Sequence, residues 1–412
     1  MKKLFILPVL FAFILVSCDR YDSNDLKTTS FSMNINSDEL TQRLTYPNVP
    51  IHLTSQKSTQ TSSFVLVGEA DSPMLNGEKL SASSVIFGAN NRVYVTYHHR
   101  GEPFGGAIVA FNVVNPSQPV ITSQIIFNDI DINIVSFKNQ NDNKIYLGGA
   151  SATNGAVVIP VNLNGGTGDL NTNQNLQIAP VGGSPSVNGI VHVGNRLIVS
   201  AGYTSGGLWS INQGSMQIMA QTYFDGSKSV ATNGLSGSSN RFMSLKGGSM
   251  DNAILYVYKG GNNPNFNTGW QFNLGVPAIH QNVEPNYEQW GKMYMFIKPN
   301  TTTCYVPLGM NGMKAINFSQ GNGQLVYQSP AGMLTTGNCN AVGADNDYVY
   351  MANGSDGVCF ATVPTTGTTL NIFGVWDNTQ YPGSVNFIAS NNTHIFVAKG
   401  KEGGLKILLK VN

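Results

Sequence analysis

A glycine that opens a short, β-rich run recurs along most of the chain, and this repeat constrains the fold more than any other feature. The runs are Gly106-Ala-Ile-Val-Ala-Phe111, Gly155-Ala-Val-Val-Ile-Pro160, Gly207-Leu-Trp-Ser-Ile211, Gly312-Met-Lys-Ala-Ile-Asn317, Gly357-Val-Cys-Phe-Ala361 and Gly404-Leu-Lys-Ile-Leu408. Each follows an aromatic or β-branched run, such as Arg92-Val-Tyr-Val-Thr-Tyr97, Tyr348-Val-Tyr-Met-Ala-Asn353 or His394-Ile-Phe-Val-Ala-Lys399. One further unit pairs Arg241-Phe-Met-Ser-Leu-Lys246 with Ala253-Ile-Leu-Tyr-Val-Tyr258 and lacks the leading glycine. Short runs divided by turn clusters, with no sustained 3.6-residue period, read as strands. Repetition of a four-stranded unit every roughly 45–60 residues is the signature of propeller blades.

Seven such units fit between Ser63 and Asn412, but the last, starting near Tyr381, has only three strands. The run Ser63-Phe-Val-Leu-Val-Gly-Glu-Ala70 stands apart from any unit and supplies the missing one. The expectation is an all-β, seven-bladed β-propeller over residues 63–412, closed by an N-terminal strand on the C-terminal blade. Closure also removes a sheet edge that would otherwise template aggregation.

The segment Gly105-Gly-Ala-Ile-Val-Ala-Phe-Asn-Val-Val-Asn-Pro-Ser-Gln-Pro-Val-Ile121 resembles the LVIVD-repeat propellers. In that family a glycine-led apolar strand runs into an Asn/Asp-Pro-x-x-Pro-Val turn. The later units keep the glycine and lose the prolines. The resemblance implies the propeller fold and, for function, little beyond binding.

At the other end, Lys2 and Lys3 precede an apolar run from Leu4 to Val16, then Ser17 and Cys18. A basic start, a short apolar stretch and a small residue before the cut describe a secretory signal peptide. The run is shorter than the ~20 residues of a membrane span. Leu15-Val16-Ser17-Cys18 resembles the bacterial lipobox, which implies removal of residues 1–17 and acylation of Cys18. Acyl chains hold a protein at a bilayer at ~0.8 kcal/mol per buried CH₂. Asp19, Asp22 and Asp25 follow, like the acidic export signal of Bacteroidetes-type surface lipoproteins. The chain is therefore expected at the outer membrane, facing either the cell surface or the periplasm. Residues 18–62, rich in Ser, Thr, Asn and Gln, read as a lipid-anchored tether.

Charge argues against nucleic acid. Lys and Arg number 23 against 22 Asp and Glu, and two of the lysines leave with the signal peptide. No basic stripe runs along any segment. The remaining cysteines, Cys304, Cys339 and Cys359, are odd in number and match no zinc spacing, so buried free thiols are expected. No cofactor motif is present.

In a propeller the turns from first to second and third to fourth strand share one face, and the remaining connections share the other. The first set here consists of turn formers such as Asn90-Asn91 and Gly194-Asn195. Ionisable and aromatic side chains gather in the second set, which makes that face the expected site. Its candidate ligand-binding residues are His98, His99, Arg100, Tyr203 and His280. The long insertion 275–291 and a later loop add Glu284, Tyr287, Glu288, Trp290 and Tyr381. Adjacent histidines in extended chain point apart, so His98-His99 without a third ligand does not make a metal site. Glu284 and Glu288 leave open a hydrolase or lyase acting on envelope glycan through loop carboxylates and histidines. Trp290 and Tyr287 are the groups that stack on a sugar ring or pack on a partner's side chain. The favoured reading is a non-catalytic binding module whose ligand is a glycan or an envelope protein.

Overall fold

The computed structural model describes residues 26–54, 63–99, 102–139, 141–202, 204–247, 251–261, 264, 266, 269–280, 293–319, 323–377 and 382–411. Seven antiparallel sheets stand around a central channel, each with its first strand innermost. Blade 1 runs Ser81–Phe87, Arg92–His98, Gly106–Asn112 and Val120–Phe127. The first strands of blades 2 to 6 are Ile130–Phe137, Ser186–Val193, Ser227–Thr232, Phe296–Ile297 and Ala341–Ala344. Blade 7 has Phe387–Ser390, His394–Ala398 and Leu405–Val411, and its fourth strand is Ser63–Ala70. The ring therefore closes as the sequence implies, with Leu405 opposite Ala70 and Val411 opposite Ser63.

The repeated glycine has a steric cause. Gly404 opens its strand at φ 58°, and a methyl there would collide with the carbonyl oxygen of Ala70 on the neighbouring strand. At Gly106 the constraint comes from the next blade. A methyl would stand 2.6 Å from the backbone nitrogen of Ile132 and 2.7 Å from the Ile130 oxygen. Only a residue without Cβ lets the blades approach this closely.

Hydrophobic clusters fill the spaces between neighbouring sheets. Tyr94, Ile108 and Phe127 of blade 1 pack with Ile132, Leu147 and Ile159 of blade 2 in one of them. Cys339, Met351 and Cys359 pack with Tyr305 and Met313 in another. All three described cysteines are free and fully buried, Cys304 in the cluster between blades 4 and 5.

The segment expected to be a tether is, from Leu26 to Thr54, laid along the rim. Lys27–Thr28 pairs with the edge of blade 2, and Phe31–Asn34 with the edge of blade 1. A one-turn helix, Ser37–Thr41, follows, capped by the Asn36 side chain, which accepts from the Glu39 N–H. Leu44–Thr45 and Val49–Pro50 then flank Ser63–Ala70 on blade 7, and Thr54 bridges Val375 of blade 6. Leu40, Leu44 and Ile51 enter the core. Burial of these isolated apolar residues, with pairing at open sheet edges, orders a stretch that has no periodicity of its own. Cys18 and the rest of the signal and acidic region lie outside the described residues. No helix among the described residues is long and apolar enough to cross a membrane.

Candidate functional site

The inner strands are locked to one another by a ring of polar side chains. In blades 1 to 4 the first strand carries one extra residue, a β-bulge at Ser83, Asn133, Asn188 and Lys228. Asn340 and Asn386 occupy the corresponding places in blades 6 and 7. Ser83 Oγ donates to the Asn133 carbonyl at 2.7 Å, and Asn133 Nδ2 to Ser186 Oγ at 2.8 Å. Asn188 Nδ2 reaches the Ser227 carbonyl at 3.4 Å, and Asn340 Nδ2 the Val385 carbonyl at 3.0 Å. Asn386 Nδ2 completes the circuit on the Ala82 carbonyl at 2.8 Å. Each of these bonds runs from a blade to the next. Blade 5 is joined to blade 4 by the Met295 N–H on Ser229 Oγ at 3.1 Å and to blade 6 by the Tyr294 N–H on the Asn340 carbonyl at 2.7 Å, so the channel wall is a hydrogen-bonded hoop.

Tyr294 crosses the channel inside the hoop. Its hydroxyl, from blade 5, donates to the Asn133 carbonyl of blade 2 at 2.9 Å. Its ring meets Phe387 of blade 7 edge-on, with centroids 4.9 Å apart. The tyrosine divides the channel into two ends with different chemistry.

One end opens among the turns from second to third strands, where the sequence places the site. Met74–Leu75 and Glu78–Lys79 form a small hairpin here around Asn76-Gly77. Both turn residues have positive φ, 51° and 84°, the two-residue turn for which Asn-Gly is preferred. The hairpin presents Glu78, whose Oε2 lies 3.1 Å from His99 Nε2 and 3.1 Å from Lys401 Nζ. Hydrogen bonds from Lys401 and then His99 hold the Glu78 carboxyl below its ordinary value. Asp131 accepts from the backbone N–H groups of His99 and Gly105, each at 3.1 Å. His98 Nδ1 sits 3.0 Å from the His99 carbonyl oxygen, within its own turn. His280 is buried at the start of the long insertion. Lys399 is fully buried, with its ammonium 5.0 Å from the Trp376 ring centre. Burial, then the charge of Lys406, lowers its pKa to about 8 against the pull of Asp377.

Of the sequence candidates, then, His98 and His99 stand together on this face, and His280 is folded inward. Arg100, Tyr203, Glu284, Tyr287, Glu288, Trp290 and Tyr381 lie outside the described residues. Among the described residues no group of three or more His, Cys, Asp or Glu is placed to hold a metal ion. Glu78 and Lys401 join His99, and the Asn-Gly turn between Leu75 and Glu78 was the signal that could have exposed the hairpin.

The other end is a blind cavity of about 750 Å³ among the first-to-second-strand turns. Val85, Ile134, Ile190, Val230 and Val342 line it from five blades, with Phe87, Phe137, Phe296 and Phe387 half-buried in its wall. Among the described residues that line it, Lys138 is the one Lys, Arg, Asp or Glu, and it stands exposed at the rim. Asn139, Asn195 and Ser236 are its neighbours there. Sequence reasoning set this face aside because its turns are short and polar. The cavity comes instead from apolar residues at the ends of first strands, such as Val85-Ile86-Phe87 and Phe296-Ile297, which seven separated segments bring to one place.

No family model matches the chain, and no curated protein matches it. Solved structures do. The WD40 repeats of RRP9 superpose with a TM-score of 0.54 at 8% identity, covering 87% of this chain and all of that one. The U3-55K structure gives a TM-score of 0.51 at 8% identity over 82% of this chain and 98% of that one. The likeness is one of fold. The protein is a seven-bladed β-propeller.

Proposed function

We propose that the protein is a non-catalytic binding module of the bacterial envelope, of the LVIVD-repeat type and held at the outer membrane by an acylated Cys18. Its partner, an envelope protein or glycan, docks on the face of the second-to-third-strand turns. One observation carries this reading: Glu78, Asp131 and Asp356 on that face are tied into the scaffold, and Lys399, whose pKa falls to about 8, is fully buried out of a substrate's reach. Glu78 is shared between His99 and Lys401. Asp131 is committed to two backbone N–H groups. Asp356 accepts from the backbone N–H of Thr335 at 2.7 Å and from the Thr336 hydroxyl at 2.9 Å. A fixed pattern of charge serves recognition, whereas general acid–base chemistry wants a group able to trade a proton near neutral pH.

The test uses the full chain expressed in a Gram-negative host. Cys18→Ala should move the protein from the membrane to the soluble fraction. Purified protein should retain a specific glycan on an array, or a specific protein from envelope extract, and Glu78→Ala and Trp290→Ala should weaken that capture. Release of product from envelope glycan, abolished by Glu284→Gln or Glu288→Gln, would replace this reading with that of a glycan-active hydrolase or lyase.

A further inference from the structure

The cavity behind Tyr294 is unlike a water-filled channel. Its wall is mainly Val, Ile and Phe side chains, interrupted by Ser136, His192, Ser229, Thr232 and Ser390, and four phenylalanines from blades 1, 2, 5 and 7 are only half-covered. Burying a Phe side chain contributes roughly 1.5–3 kcal/mol, so leaving part of four such rings against water forgoes a sizeable fraction of that stabilisation. The polar groups nearest the floor are engaged. The Asn133 carbonyl receives Ser83 Oγ and Tyr294 Oη, and Ser229 Oγ accepts from the Met295 N–H at 3.1 Å. A sugar or phosphate set against the Val, Ile and Phe side chains of the wall would lose hydration that hydrocarbon cannot replace. At the mouth the character changes abruptly to amides, a hydroxyl and one ammonium. Lys138 Nζ makes a long 3.4 Å contact to Gln213 Oε1, and the carboxylate that feels its charge, Asp142, lies outside the cavity lining.

We propose that this cavity binds an anionic amphiphile, with its hydrocarbon body packed against Phe87, Phe296 and Phe387 and its head group at Lys138. The volume lies inside the roughly 300–1,000 Å³ typical of small-ligand sites. Tyr294 sets the depth, because its bond to Asn133 blocks passage to the opposite face. Ligand in the cavity and partner on the other face occupy separate ends of the molecule, so either can hold without the other.

Dodecanoate is the probe, titrated calorimetrically into the purified chain below its micellar concentration, with dodecyltrimethylammonium as the control of opposite charge. Saturable binding of one dodecanoate is expected, with the cationic probe at least tenfold weaker. Val342→Trp, which fills the cavity, should abolish binding of both while leaving the melting transition cooperative. Lys138→Glu, an exposed change at the rim, should reverse the preference between the two head groups. Absence of saturable dodecanoate binding to the wild type overturns the proposal. So does binding that survives Val342→Trp unchanged. Should that variant not fold, Lys138→Glu decides alone, and an unaltered preference between the two probes rejects the site.

Discussion

The Lys410 ammonium lies 2.7 Å from the Asp345 carboxylate, with the two side chains 4% and 6% exposed. The pair joins the last strand of the chain to the first-to-second-strand turn of blade 6. Asp345 also accepts from the Tyr350 hydroxyl at 2.5 Å and from the backbone N–H groups of Asp347 and Tyr348. Burial raises its pKa, but Lys410 and these donors outweigh that and hold the carboxyl below its ordinary value. Asp345→Ala leaves the buried ammonium only the exposed Asp347 carboxylate at 3.9 Å and should destabilise the protein by about 3 kcal/mol. Adding Lys410→Met removes that charge, so the double variant should recover part of the loss in urea unfolding. Additive losses in the two single variants would show that the ion pair is not what couples the residues.

His192 should make stability pH-dependent. Its ring packs edge-on to Tyr146, and burial first, then Lys138, lowers its pKa to about 3. The unfolded chain binds this proton near 6.5, while the folded chain refuses it until about pH 3. Between those values the unfolded state holds more protons, so stability falls as pH drops, with a slope approaching ~1.4 kcal/mol per unit. His192→Gln should lose less stability between pH 7 and pH 5 than the wild type. An equal loss in both would assign the dependence to other groups.

Cys304, Cys339 and Cys359 are completely buried, and burial raises each thiol well above its ordinary pKa. A thiolate-directed reagent should label none of them in the native protein at pH 8 and all three after denaturation. Rapid labelling of Cys339 or Cys359 in native conditions would reveal opening of the blade 5 to blade 6 interface, and of Cys304 opening between blades 4 and 5.

The rim segment and the closing strand should differ in consequence when removed. Deleting residues through 54 loses the burial of Leu40, Leu44 and Ile51, about 5 kcal/mol at roughly 1.5–3 kcal/mol for each fully buried side chain. Deletion through 70 takes the fourth strand of blade 7 as well. The shorter deletion should melt cooperatively at lower temperature. The longer one should not give a cooperative transition, and if it does, the ring does not depend on that strand.

The blades and their closure were legible because each rests on a local rule. Period-two strands, turn residues and the glycine of Gly404 are all dictated by backbone sterics. The rim segment was not, since strands as short as Lys27–Thr28 and Leu44–Thr45 carry no pattern and exist only through the edges they meet. The hoop was written in the chain as an asparagine after an apolar residue, in Ile132-Asn133, Val187-Asn188, Cys339-Asn340 and Val385-Asn386. Asparagine is common in turns, and this rhythm was lost among its other uses. His99 was found from composition alone, whereas Glu78 and Lys401 come to it from 21 and 302 positions away and needed the fold. The cavity had no linear signature, because residues as distant as Val85 and Phe387 meet there.

The way residues 26–54 wrap the rim also fixes how the molecule bears load. A pull on the N-terminus arrives at blade 2 through two paired residues, then at blade 1 through four. Along the chain come next the short pairings on blade 7 and the single bridge to blade 6, and then the strand Ser63–Ala70. The pairings on blades 2 and 1 can yield in turn before strain reaches the closing strand, on which the blade 7 pairings lie. The strip thus acts as a mechanical fuse, extending under drag while the ring stays shut.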